Sequence, residues 1–281
     1  MHMDRIACFS LDLEADYAGM TGCDYYESLE CTEAFEQMVS VYGIKLTTFV
    51  AGTILDVNFP IVKRLQSLGS RFETHSYSHP LKELPSAKIE NIRNGIDAYV
   101  RYFGERPSGY RAPQGIISMD EVKFLSEQGL LYSSSIFPSY LPGRYNNLHF
   151  PTHPFIYEET CLLEIPFSVI PFIRLPVTAS HVNLFGSRLS ILLMRLFGCP
   201  RLLNICMHLY DFCDVSAYRM LPLKERIGYF RQRIARDKTK SFEALVRFLK
   251  SRGYRFAYLR DIASEIVKNG SAARWSPRRK C

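Results

Sequence analysis

Hydrophobic and polar positions change rhythm regularly along this chain. Short apolar or alternating runs read as strands: "IACFSLDL", "KLTTFVA", "RFETH", "GYRA", "LYSSSI", "LEIPFSV", "LLNICMHL" and "YRFAYL". Between most of them lie stretches with helical spacing, such as "ESLECTEAFEQMVSVYG", "FPIVKRLQSLG" and "SAKIENIRNGIDAYVRYFG". "SMDEVKFLSEQG" carries its own boundaries, because Ser118 and Glu121 form a capping box and Gly129 supplies the stop. "KERIGYFRQRIARDKTKSFEALVRFLKSRG" reads as long, basic and amphipathic. Strands alternating with helices imply parallel βαβ units, so the pattern predicts an α/β fold of about eight strands. No composition break or Ser/Gly linker interrupts it. A single barrel-like domain over residues 1–270 is expected, followed by a basic tail at 271–281. Residues 138–160 hold four prolines and no period, and read as an excursion loop.

Composition narrows the class. With 47% hydrophobic and 13% aromatic residues, the 281-residue chain can bury a sizeable core. It has no run of the roughly 18 apolar residues that a membrane span needs. The opening "MHMDRIACFSLDLE" lacks the apolar region of a signal peptide and enters a strand at once, so a cytoplasmic protein is expected. Eight cysteines are scattered without a C-x-x-C pair, which predicts reduced, buried thiols rather than disulfides or zinc ligands. Of the net charge of +7, four charges (Arg274, Arg278, Arg279, Lys280) lie in the acid-free tail, leaving about +3 for the body. Nucleic acid is therefore not an expected partner. The tail reads as a solvated terminus or as a contact for phosphate or an anionic membrane. "LFGSRLSILLMRLFG" at 184–198 is apolar with two arginines. It reads either as a core or groove-lining helix or as one meeting a lipid carrier or membrane surface.

In a parallel α/β sheet or barrel, functional groups gather at the C-terminal ends of strands. Four predicted strand ends carry most of the reactive side chains: Asp12, Glu14 and Asp16; His75 and His79; Arg111; and His208 with Asp211. Neutral imidazole is a good zinc ligand, and Pro80 disfavours a helix at His79, so His75 and His79 must converge through a turn. Acids inside an apolar run are costly to bury unless paired or bound to a cation. Asp12 and Glu14, two apart on a strand, face the same side, which suggests one metal ligand and one general base. The bland alternative is an ion pair or a helix cap, and Asp16 fits it better than Asp12. Arg111, before a Pro-x-Gly turn, can hold a carboxylate with two hydrogen bonds, and the turn can present backbone N–H groups to an oxyanion. His208, emerging from a buried strand, is a candidate general acid. His149 and His153 have the same spacing as the first pair but lie in the proline-rich excursion, away from any carboxylate cluster.

With "HSYSH", the acidic "SLDLEAD", "RAPQG" and "CMHLYD" in this order, the chain resembles the polysaccharide deacetylases, the NodB-homology group or carbohydrate esterase family 4, over roughly residues 5–262. The resemblance implies a distorted (β/α)7 barrel and a divalent metal, zinc by expectation, held by His75, His79 and a carboxylate. The family's adjacent aspartates are replaced here by "DLE", which points to Glu14 as that ligand, with Asp16 as the fallback. It further implies Asp12 as base, Arg111 as its orienting partner, the Gln114 amide as oxyanion donor and His208 as acid. Tyr110, Pro113 and Asp16 would lie on the substrate side. Ser133 stands where the family commonly has an aspartate. The implied activity is removal of an N-acetyl or similar acyl group from an amino sugar in a surface polysaccharide or its nucleotide- or lipid-linked precursor. Cleavage of a non-sugar linear or cyclic amide, or an inactive carbohydrate-binding domain, are the alternatives. Peripheral contact with the inner face of a membrane or with a lipid carrier is compatible with both the substrate and the apolar segment.

Overall fold

The computed structural model describes residues 4–79, 84–226 and 237–276. In chain order the elements are β1 (Arg5–Leu13), α1 (Glu33–Tyr42), β2 (Leu46–Val50), α2 (Gly52–Val57), α3 (Pro60–Ser67), β3 (Arg71–Thr74), α4 (Pro85–Phe103), β4 (Gly109–Tyr110), α5 (Met119–Glu127) and β5 (Tyr132–Ser133). There follow β6 (Tyr140–Leu141), β7 (Tyr145–Asn146), β8 (Phe155–Tyr157), β9 (Leu163–Glu164), α6 (Ala179–Phe185), α7 (Ser187–Phe197), β10 (Leu202–His208), α8 (Lys238–Ser251), β11 (Tyr254–Phe256), α9 (Leu259–Lys268) and β12 (Ala273–Trp275).

Seven strands lie side by side and parallel in the order β10-β1-β2-β3-β4-β5-β9, giving the expected (β/α)7-type sheet in one domain. β1 is the spine. It is buried from Ala7 to Leu13, with neighbours on both edges and layers on both faces, so its sequence is nearly continuous in apolar residues instead of alternating. The gap between β9 and β10 is bridged by irregular chain. Ser168 N donates to Asn204 O at 3.0 Å, and Thr178 bridges Cys206. This replaces a regular strand pair and makes the barrel distorted.

All eight runs read as strands belong to the main sheet, with β11 pairing the start of β1. The 138–160 excursion is more ordered than its prolines suggested. It holds the hairpin β6–β7 and the strand β8, which pairs β9 antiparallel. Nor does the chain fray at residue 271, because β12 pairs β8 and Trp275 packs on Phe150, Phe155 and Tyr157. The charged end, Arg278 to Lys280, lies outside the described residues, as does Pro80. Helix α5 starts with the expected capping box of Ser118 and Glu121. The basic amphipathic stretch does not run unbroken from residue 224, since α8 opens at Lys238 with Asp237 as its cap. Segment 184–198 is likewise two helices, split at Gly186 (φ 81°, ψ 146°), a backbone state open essentially to glycine alone. Seven described cysteines are free, but Cys23, Cys31 and Cys161 are exposed, so burial holds only for part of the set. Among the described residues no helix is long and apolar enough to cross a membrane.

Candidate active site

Parallel pairing brings the stations together. β1 and β10 pair with Asp12 beside His208, and β3 and β4 pair with Thr74 beside Tyr110, so the residues that follow, His75 and Arg111, leave their strands at the same level. Glu14, His75 and His79 form a cluster whose donor atoms lie within 4.8 Å of one another. Nε2 of His75 is 3.1 Å and Nε2 of His79 is 3.4 Å from Glu14 Oε2.

The hydrogen bonds around this cluster fix its tautomers. His75 Nδ1 lies 2.8 Å from the carbonyl oxygen of Arg111, which can only accept, so Nδ1 carries the hydrogen and Nε2 turns a lone pair towards Glu14. The Gln114 amide donates to His79 Nε2 at 3.1 Å, so that nitrogen is also an acceptor. Lone pairs of His75 Nε2 and Glu14 thus face one point, with His79 Nε2 at 3.4 Å from Glu14 but its single lone pair taken by the Gln114 amide, and a proton or a cation at that point relieves the repulsion between the first two. Burial opposes the charge on Glu14. The two histidines and His208 outweigh it and hold its carboxyl at about 2. For His75 too, burial works against the charged form, yet the hydrogen bond to Glu14 and the nearby carboxylates lift its pKa above the usual value. Burial depresses that of His79. Two imidazoles and one ionised carboxylate fit a divalent metal such as zinc.

Asp12 lies beside this cluster. Arg111, fully buried, donates Nη1 to Asp12 Oδ1 at 2.5 Å, Nε to Ser134 O at 2.9 Å, and Nη2 to Ser10 and Ser134 Oγ at 2.9 Å each. Phe49 and Phe167 sandwich its guanidinium at 4.1 and 4.4 Å. A cation so placed orients Asp12 and balances its buried charge. His208 Nε2 is 3.7 Å from both Asp12 Oδ2 and Glu14 Oε1, while its Nδ1 is 3.5 Å from Asp211 Oδ2. Burial disfavours the imidazolium, but Asp211, Asp12 and Glu14 prevail and raise its pKa to about 9. Asp211 supplies a carboxylate from the same strand end and favours the protonated ring, even with Ser133 in place of an aspartate. Asp211 is held by Ser180 Oγ at 2.7 Å.

Two other expectations need correction. Asp16 does not join the cluster. Its buried carboxylate accepts from the backbone N–H (3.1 Å) and hydroxyl of Ser28, so it caps the turn at 27–29 and is neither ligand nor substrate contact. Tyr110 cannot touch substrate. It is fully buried in the layer below, with its hydroxyl 2.9 Å from Ser76 Oγ. Alternation along a strand carried that signal, since Arg111 facing the site puts Tyr110 on the opposite face. The Gln114 amide is at the site but engaged with His79. Pro113, half-buried, opens the turn that holds it. Ser76 (φ 63°) and Gln114 (φ 59°) are both left-handed non-glycine residues, strain of the kind stored at functional sites. His149 packs tilted against Phe150, and neither it nor His153 enters a metal-capable group among the described residues. The sequence reading missed Ser10 and Ser134, and gave no role to Asp211 or to Tyr210, which stacks on His208 at 4.7 Å.

A curled parallel sheet with a histidine–carboxylate cluster, a buried acid–arginine pair and a late histidine at its strand ends defines a barrel of the polysaccharide deacetylase type. The sequence model of the polysaccharide deacetylase family matches residues 22–133, which include His75, His79 and Arg111. Among solved structures the chain is similar to a putative polysaccharide deacetylase from Mycobacterium smegmatis, at 19% identity, covering 100% of this chain and 96% of that one, with a TM-score of 0.63. It is similar to Puue allantoinase at 17% identity, covering 94% and 91%, with a TM-score of 0.56. BA3943 of Bacillus anthracis, a CE4 family pseudoenzyme, is 12% identical, covering 97% and 67%, with a TM-score of 0.54. No curated protein matches the sequence. The family match covers residues 22–133, less than half of the chain, and the solved structures share its fold. At these identities the structural likeness is one of fold, and the fold alone does not choose between the two activities and the inactive state those names describe.

Proposed function

We propose that this chain is a metal-dependent hydrolase that removes an acetyl or similar acyl group from the nitrogen of an amino sugar in a surface polysaccharide or its nucleotide- or lipid-linked precursor. The observation that supports this best is the placing of Asp12 and His208 on paired strands beside the Glu14–His75–His79 cluster. A binding domain has no use for both a base and an acid at one metal cluster.

A divalent cation, zinc by its donor set, held by Glu14, His75 and His79 would polarise the acyl carbonyl and lower the pKa of a water towards neutrality. Asp12, aimed by Arg111, would take a proton from the water that attacks the carbonyl carbon. The Gln114 amide, released from His79 Nε2, is the backbone donor for the developing oxyanion, a role typically contributing about 3–4 kcal/mol. His208 then gives its proton to the departing nitrogen, so that the C–N bond breaks to free amine and acetate. Metal analysis followed by acetate release from a panel of N-acetylated amino sugars tests the reading. Normal metal content with no acetate from any member would sink it.

A further inference from the structure

Between Glu164 and Asp211 the chain has no acidic residue, but it carries Arg174, Arg188, Arg195 and Arg201. Helix α7 lies in this stretch and is apolar on two sides. Ser190 and Met194 are buried on its inner face, with Ile191, Leu193 and Phe197 packed against the core. Its outer face exposes Leu189 (43%), Leu192 (49%) and Leu196 (68%), spaced as one stripe and flanked by exposed Arg188 and Arg195. Among the described residues no carboxylate pairs with Arg188, Arg195 or Arg201.

A second feature lies next to it. Residues 170–175 form a tight turn, closed by Ile170 N to Leu175 O at 2.8 Å and Arg174 N to Ile170 O at 2.9 Å. Arg174 anchors it by donating to the carbonyls of Pro138 (3.1 Å) and Phe150 (3.2 Å). At its tip Phe172 is 87% exposed and left-handed (φ 66°), with Ile173 beside it. A phenylalanine held in a strained conformation with almost no packing has no account in the stability of the fold. Turn and helix are neighbours, since Ile170 and Leu175 line the same apolar cavity as Ser190 and Met194.

We infer that α7 and the Phe172 turn form a docking surface for an anionic phospholipid bilayer. Leucines and a phenylalanine bordered by arginines are the composition of an interfacial helix, whose apolar groups enter the acyl boundary while guanidinium groups meet lipid phosphates. A second copy of this chain is a poorer occupant, because a two-fold contact through this patch would set arginines of like charge in one apolar seam. A protein partner would need hydrogen-bonding complements, and the exposed side chains of α7's outer face are leucine and arginine only. The inference stands apart from the proposed chemistry, because it concerns where the protein sits and not what it cleaves.

Co-sedimentation of the full chain with phosphatidylglycerol-rich vesicles, against phosphatidylcholine vesicles, tests it directly. Binding to the anionic vesicles alone is expected. Leu189→Ser/Leu192→Ser/Leu196→Ser should weaken it by at least about ten-fold, and Arg188→Ala and Arg195→Ala by about five-fold each. Phe172→Ser, at an exposed turn tip, serves if the triple variant fails to keep its thermal midpoint, and it should weaken binding as well. Absence of binding to anionic vesicles, binding unchanged by these substitutions, or a dimer that the leucine substitutions dissolve without any vesicle binding would each overturn the inference.

Discussion

Gly95 is the point where α4 meets the loop between the two clustered histidines. A Cβ at this position would lie 2.3 Å from the carbonyl carbon of Ser76, 2.6 Å from its oxygen and 2.7 Å from Tyr77 N. Carbon contacts settle near 3.5 Å or more, so Gly95→Ala requires the Ser76–Tyr77 backbone to move by about 1 Å. That backbone is clamped from both sides. Tyr77 N donates to Asn91 O at 3.0 Å and Ser78 N to Asn91 Oδ1 at 2.9 Å, while Gly52 N and Thr53 N donate to Ser76 O (3.0 Å) and Tyr77 O (2.9 Å). Overpacking costs roughly 1–3 kcal/mol and each strained hydrogen bond about 1 kcal/mol, so a loss of about 2–4 kcal/mol is expected. His75 and His79 flank the displaced peptide, and disturbing the supports of a metal ligand typically costs about 10–100-fold in affinity. Guanidinium unfolding of metal-free protein measures the first effect, and competition with a chromophoric chelator measures the second. Gly43→Ala is the control: φ is 60° with open space around it, so it should lose about 1 kcal/mol and keep full metal affinity. A Gly95→Ala protein within about 0.5 kcal/mol of the parent and with unchanged affinity would refute the reasoning.

Arg111→Met leaves Asp12 buried without its cation, and should cost about 3–5 kcal/mol in unfolding experiments and abolish acetate release. Asp211→Asn should keep its metal but shift the pH–activity profile. An acid works only while protonated, so activity falls as pH rises through the His208 pKa, held at about 9 partly by Asp211. Without that carboxylate the alkaline limb moves to lower pH, and an unmoved limb would exclude Asp211 as the partner. Glu164 is buried, and burial raises its pKa despite the backbone N–H groups of Ser135 (2.7 Å) and Ile136 (2.9 Å) that it accepts. Because the folded state favours its neutral form, its contribution is fully present below the ordinary carboxylate pKa and fades as pH rises to the raised one. Glu164→Gln should flatten that decline, as read from denaturant midpoints between about pH 4 and pH 8.

The strand ends were the legible part of this protein. "SLDLE", "HSYSH", "RAPQG" and "CMH" end runs whose buried, near-continuous apolar character marks central parallel strands, and parallel pairing then leaves their termini little freedom to lie apart. What stayed hidden depends on contacts distant in sequence or on elements too short to show a period. β12 is three residues long and has meaning only against β8. Asp16 read better as a cap than as a ligand, but its partner was hidden, because Ser28, twelve residues on, claims its carboxylate. The left-handed backbones of Ser76 and Gln114 are imposed by the helices and turns that clamp them, and neither residue type announces that conformation. Asp211 was visible but ambiguous, since a carboxylate three residues after a histidine can equally cap a turn. Here it does both, accepting His208 N at 2.9 Å while facing the ring.

The division of labour between Asp12 and Glu14, at the end of β1, is the centre of this account, and the zinc content of Asp12→Asn, measured together with its acetate release, tests it most directly. The account predicts metal bound as in the parent protein with turnover abolished, while Glu14→Gln loses both. Loss of metal from Asp12→Asn, or acetate release that survives the substitution, would contradict it.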